Sequence, residues 1–316
     1  LGARHGVSGL QGVPLHSPPD TRIEDRMAVE LVAALIVLLV LLWWPGNVSG
    51  LRQFGWYRGW LRVLDFVEGG GRVALALILP VVACALVAWF LQGRVYALAA
   101  LAFAVLILFY TFGPRELESD FESVLREDDV VARVVAAQNL RSVPGGAPRA
   151  FTSAELVEAA VTAALRRRFG VLFWFFLLGP AGALGYRLAW ITADTDDEHV
   201  DPRTRYAARR FALVLDWIPA HLMVLAMALV SDFDAVIGTW RRWHAHPARS
   251  PWELDPNFLA AVARSGVDAD IVAGDGVTTD VRDPVVELAD ARRLMLRVLI
   301  VWLAVVALIV LAGWVA

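Results

Sequence analysis

Apolar residues in this 316-residue chain are gathered into runs long enough to cross a bilayer, and that clustering limits the available folds more than any other feature. Inside a bilayer no water reaches the backbone, so a spanning segment must satisfy its own N–H and C=O groups, as a helix or in a closed barrel. A spanning helix needs about 20 mainly apolar residues. Residues 28–44, 73–91, 95–112, 169–191, 212–230 and 297–315 approach or meet that requirement. The short turn at 92–94 makes the second and third a helical hairpin. The fifth run contains Asp216, Pro219 and His221, so three readings stay open for it: it crosses, re-enters, or lies partly in the interface. With 58% of residues hydrophobic and 19% charged, neither disorder nor an ordinary soluble domain fits. The expected fold is all-α: a polytopic helical membrane protein of about five to six apolar segments with helical cytoplasmic loops, embedded in a lipid bilayer. One membrane domain is expected over 27–316. Residues 1–26, rich in Gly, Pro and Ser, are expected to be disordered or an upstream extension. Nothing reads as a β-strand, and no inverted repeat supports a transporter.

Composition also removes several functions. A net charge of −3 argues against nucleic acid as a partner. Every basic residue other than His is Arg, so neither a P-loop lysine nor a Schiff-base lysine is available. Cys84 is the only cysteine, which leaves no disulfide framework and no thiolate metal site. Arginines concentrate in 45–72, 113–168 and 231–297, which places these segments on the cytoplasmic side and 192–210 on the opposite side. Within 113–168 one helix is expected through "RELESDFESVLREDDVVARVVAAQNL". A second begins at the Thr152/Glu155 capping box and runs straight into the fourth apolar run.

That fourth run reads "FGVLFWFFLLGPAGALGYRL" from Phe169. Gly179, Gly182 and their small neighbours allow close backbone approach, and Pro180 removes a helical hydrogen bond. A kinked, tightly packed span accounts for the glycines; a pocket wall is the functional alternative. Arg187 either snorkels to the headgroups or enters a polar site. In "LDWIPAHL" Asp216 is costly inside a span and therefore marks a functional hypothesis, while Pro219 frees the carbonyl of Leu215 beside it. Because the fourth and fifth runs are expected to be antiparallel neighbours, Arg187 is the expected partner of Asp216, with Tyr186 and Trp217 adjoining. "RRR" at 166–168 reads as a charge anchor, and "DTDDEHVD" from Asp194 as a solvated loop more readily than a cation site. His244 and His246 lack an evident third metal ligand.

"YTFGPRELESD", the run from Phe169 and "LDWIPAHL" together resemble the AmpE family of bacterial inner-membrane proteins, linked to β-lactamase induction, from Met27 to the end. His221 stands where that family has Arg. AmpE is similar in turn to the CobD/CbiB membrane enzymes, which join an amino-alcohol phosphate to cobyric acid in cobalamin synthesis. Glu158 and Trp174 match that pattern, whereas Thr162, Ala163 and Arg166 stand where the enzymes have Glu, Asn and Asp. The resemblance implies a multi-pass inner-membrane signalling protein, ancillary to β-lactamase induction and cell-wall stress sensing, with no catalytic residues of its own and no metal or named cofactor. It would bind a cell-wall-derived or nucleotide-like ligand, or a membrane protein partner, in a degenerate pocket. The residues expected to form it are Glu158, Trp174, Gly179, Gly182, Tyr186, Arg187, Asp216, Trp217, Pro219 and His221. The alternative is a CobD/CbiB-like ATP-dependent amide ligase, or a related membrane enzyme of altered substrate.

Overall fold

A computed structural model describes residues 20–43, 54–91, 97–113, 117–140, 151–246, 254–274, 276 and 283–315. The turn at 92–94 and most of the loop after Leu140 lie outside these residues. The described chain is helical without strands: α1 (Asp20–Trp43), α2 (Gly55–Val63), α3 (Gly69–Leu91), α4 (Ala97–Thr111), α5 (Leu117–Arg126), α6 (Val130–Leu140), α7 (Ser153–Ala164), a π-turn (Leu165–Phe169), α8 (Gly170–Ala193), α9 (Pro202–Val230), α10 (Phe233–His244), α11 (Asn257–Ala273) and α12 (Pro284–Val315). Length and hydropathy suit Gly69–Leu91, Ser153–Ala193, Pro202–Val230 and Pro284–Ala312 to a membrane, with shorter apolar helices at Ala28–Val40 and Leu98–Thr111. Exposed Ile78, Val82, Leu86 and Phe90 on α3, and Ile300, Val305 and Leu308 on α12, form surfaces that lipid would cover. The protein is an all-α polytopic membrane protein.

Several boundaries differ from the sequence reading. Helix α1 starts at Asp20, inside the segment expected to be disordered or an upstream extension. The single helix expected after residue 114 is two, because Asp129 accepts the Ala132 N–H at 3.0 Å and so starts α6 afresh. Thr152 caps α7 as expected, accepting from Glu155 N at 3.4 Å. Helix α9 runs unbroken through Pro219.

The largest departure is in the run from Phe169. Gly179 has φ 70° and ψ −158°, a conformation that is open essentially only to glycine, and Pro180 follows it. The chain doubles back there. The Trp174 carbonyl lies against the Gly182 backbone, the Tyr186 hydroxyl against Gly170, and the Arg166 guanidinium carbon 3.6 Å from the centre of the Trp190 ring. Each pair is equally distant from Leu178, at four, eight and twelve residues, which is the register of an antiparallel hairpin. A straight helix would hold Arg166 and Trp190 about 36 Å apart. The expected single crossing over 169–191 is therefore replaced by two arms, and residues just before and just after them lie at one end. Residues 168 and 192, expected on opposite sides, are thereby brought to one end of the hairpin.

The return arm is fixed at its far end by polar locks. Arg72 is buried, donating from Nη2 to the Leu61 carbonyl at 2.7 Å and from Nη1 to the His199 carbonyl at 3.0 Å. Thr204 accepts from Gly69 N at 2.8 Å, and Tyr57 shares a 2.7 Å hydrogen bond with Thr192. Gly185 packs on Val81 of α3, so the small face of the arm does serve close helix approach.

The hairpin makes a labelling prediction. Cys84 is buried, so cysteines introduced at exposed Thr152 and Glu198 supply the readout. Both should react with an impermeant thiol reagent from the same face of sealed vesicles. Reaction from opposite faces would restore the straight crossing.

Candidate functional site

Doubling back brings Arg166, Tyr186 and Trp190 together, and α9 lays Asp216 against them. Asp216 is fully buried. Its Oδ1 accepts the Tyr186 hydroxyl at 2.7 Å and the Trp190 indole N–H at 3.2 Å. Tyr186 and Trp190 are one helical turn apart, so their side chains converge on one point. Arg166 is held by the π-turn and stacks on the Trp190 ring, where its charge acts on Tyr186 and Asp216. Among the described residues, Nε of Arg166 and Oδ2 of Asp216 in this cluster are buried and find no hydrogen-bond partner. One offers a donor and the other an acceptor. A buried polar atom left unpaired costs about 1–3 kcal/mol, which makes the pair a candidate contact for a ligand with complementary groups.

The expected site residues separate into groups. Trp174 joins the cluster by donating its indole N–H to the Leu215 carbonyl at 3.2 Å, the acceptor that Pro219 leaves free. Gly179 and Gly182 make the turn and its close contact. Glu158 is half-buried on α7, two turns before Arg166. Trp217 and His221 lie elsewhere: the His221 ring sits 4.5 Å from Trp217, 4.9 Å from Phe258 and 6.0 Å from His244, in an aromatic cluster between α9, α10 and α11. His221 Nδ1 is 2.7 Å from the Trp217 carbonyl.

Arg187 is not the partner of Asp216. It follows Tyr186 by one residue and so points about 100° away around the helix, where its guanidinium packs on Gly113. Arg167, read as part of a charge anchor, instead pairs with Asp120 of α5. Sequence reasoning missed Trp190 and Arg166 as site members. The available signal was the Gly-Pro dipeptide at 179–180, which marks turns, together with the register that a turn there imposes.

The acidic loop is tied to the scaffold. Asp197 holds its carboxyl down to about 2, mainly because it accepts from the His199 backbone and ring, with Arg62 adding an ion pair at 3.0 Å. Asp201 caps α9 by accepting from Thr204 N at 2.8 Å. Among the described residues no three His, Cys, Asp or Glu side chains are grouped to hold a metal.

No solved structure matches the chain. It is similar to the cobalamin biosynthesis protein CobD of Chromobacterium violaceum, with 29% identity over 216 residues. That match spans 65% of this chain and 65% of the length of that protein. The family model of the CobD/Cbib protein matches residues 31–263, which include both arms of the hairpin, the Asp216 cluster and the start of α11. A buried carboxylate framed by a doubled-back helix is thus part of the region the family shares, and the chain belongs to the CobD/CbiB family.

Proposed function

We propose that this protein acts in the bacterial inner membrane as a CobD/CbiB-type enzyme of cobalamin biosynthesis, or performs the same class of amide-forming, ATP-dependent step on an altered substrate. The observation that supports this reading is the unpartnered Asp216 Oδ2. A buried carboxylate oxygen facing a ligand accepts N–H from an amine and can take its proton as the amine attacks an activated carboxyl group. Arg166, with its unused Nε–H, supplies the complementary donor for an oxygen of the other reactant. Tyr186 and Trp190 hold the carboxylate in place.

A second reading, an AmpE-type signalling role that senses a cell-wall-derived or nucleotide-like ligand, is favoured by Thr162, Ala163 and Arg166. These stand where the family resemblance implies Glu, Asn and Asp, and Ala163 is fully buried without any polar group. One experiment separates the two. The gene is expressed in a strain lacking its CobD/CbiB ligase, under growth conditions that require cobalamin. Restored growth with the native chain and none with a folded Asp216→Asn variant supports the enzyme. No growth with a folded native chain overturns that reading, and altered β-lactamase induction on deletion would then support the second.

A further inference from the structure

His221 and His244 are held in the same way on two neighbouring helices. Each closes a W-x-x-x-H stretch, "WIPAH" on α9 and "WRRWH" on α10. Each ring lies against its own tryptophan, His221 4.5 Å from Trp217 and His244 4.7 Å from Trp240. Each Nδ1 meets the backbone carbonyl of that tryptophan, at 2.7 Å and 2.9 Å. A carbonyl only accepts, so both Nδ1 atoms carry a proton and each neutral ring keeps its lone pair at Nε2. Among the described residues neither Nε2 has a hydrogen-bond partner. Helix α10 starts just after α9 ends and folds back along it, which sets the two rings 6.0 Å apart. Phe258 of α11 flanks both, at 4.9 Å and 5.3 Å. An imidazole that binds a metal almost always donates its other N–H to a carbonyl, a carboxylate or water, which fixes the tautomer and the ring direction. Both rings are prepared in that manner. Two imidazoles on one ion, at Zn–N distances of about 2.0–2.1 Å, have ring centres at most about 6.4 Å apart, so a shared ion is within reach of this pair. Trp240 adds an independent observation. Its ring lies 4.7 Å from His244 and 6.2 Å from His221, and its Nε1 is buried with no acceptor among the described residues. A water or anion on a bound ion would supply that acceptor. Both histidines are half-buried, and Asp234, Arg241 and Arg242 are exposed on α10, so water reaches the outer side of the helix pair.

We propose that His221 and His244 bind one late first-row divalent cation, of the zinc or copper class, through their Nε2 atoms, with solvent completing its coordination. Imidazole suits these ions, whereas Mg²⁺ and Ca²⁺ take oxygen ligands. The ion clamps α10 to α9. His221 lies about 140° around α9 from Asp216, so this site is separate from the carboxylate cluster and does not rest on the reading given above.

The full-length protein, stripped with chelator and carrying no histidine tag, is titrated in detergent with Zn²⁺, Cu²⁺ and Mg²⁺. Zn²⁺ should raise the thermal midpoint saturably by several degrees, and Mg²⁺ should not. With one equivalent of Cu²⁺, electron paramagnetic resonance should show coupling to two imidazole nitrogens. His221→Gln and His244→Gln should each weaken binding by at least about tenfold, since losing even an outer partner of a ligand costs that much, and should leave coupling to one nitrogen. The double variant should lose the Zn²⁺ response, while His199→Gln and His246→Gln should keep both signals. A native chain without a Zn²⁺ response, an equal response to Mg²⁺, or a response that survives in the double variant would overturn the proposal. Loss of the signals in His246→Gln with retention in His221→Gln would assign the ion to α10 alone and overturn it equally. If His221→Gln does not accumulate, His221→Phe keeps the ring packing and removes the ligand, and a two-nitrogen signal there would refute the pairing.

Discussion

Gly182→Leu is expected to prevent the protein from accumulating in folded form. A Cβ at this position would lie 2.2 Å from the Trp174 carbonyl oxygen and 2.6 Å from the Leu178 Cβ. Both neighbours are fixed within the opposing arm, so the arms must separate. That separation would pull Tyr186 from Gly170 and Trp190 from Arg166. Overpacking of a site that can relax costs about 1–3 kcal/mol, and one closed by backbone belongs at or above the top of that range. Gly179→Ala should cost about 1–3 kcal/mol through backbone strain alone. Leu178→Ala, at a side chain that is 54% exposed, should stay within about 0.5 kcal/mol. Thermal midpoints and monodisperse yield in detergent measure all three. Equal yields for Gly182→Leu and Leu178→Ala would contradict the doubled-back register.

The second large effect concerns Asp216. Asp216→Leu should destabilise by about 3–5 kcal/mol, since it strands the Tyr186 hydroxyl, the Trp190 N–H and the Arg166 charge in a buried setting. Tyr186→Phe alone should cost about 1.5–3 kcal/mol, the range for a hydrogen bond to a charged group. The double variant should recover part of the sum, with a coupling energy of about 1–3 kcal/mol, because one interaction is removed twice. The same cycle between Arg187→Gln and Asp216→Asn should be additive to within about 0.5 kcal/mol. Chemical denaturation in mixed micelles gives these values. Strong coupling in the Arg187 cycle with none in the Tyr186 cycle would reverse the assignment of the partner.

The contrast between these cycles shows what the sequence could convey. Apolar runs were legible because the bilayer demands about 20 such residues, and helices match that demand directly. Asp216 was legible because a carboxylate in such a run needs a reason. Its partner was not. Hydropathy carries no direction along the chain, so "FGVLFWFFLLGPAGALGYRL" reads alike whether it crosses or returns. Taken as a straight span, it placed Arg187 level with Asp216; once folded at Gly179, it turns Tyr186 and Trp190 inward and Arg187 away. Trp217 directly follows Asp216 and His221 stands in the same motif, yet the helical angle assigns them to another cluster. The break between α5 and α6 was hidden for a simpler reason: Asp129 lies in an acidic stretch, where a capping residue looks like its neighbours.

The hairpin also alters how the chain can be made. Had the fourth apolar run passed straight through, the segment after it, with Asp194, Asp196, Asp197 and Glu198 in quick succession, would have to be carried across the bilayer during synthesis. A segment that enters and leaves by one face carries nothing across. It also changes the parity of the later candidate spans, so that α9 and α12 would each begin on the face opposite to the one a rod would dictate. The backbone turn at Gly179 therefore bears on the orientation of everything made after it.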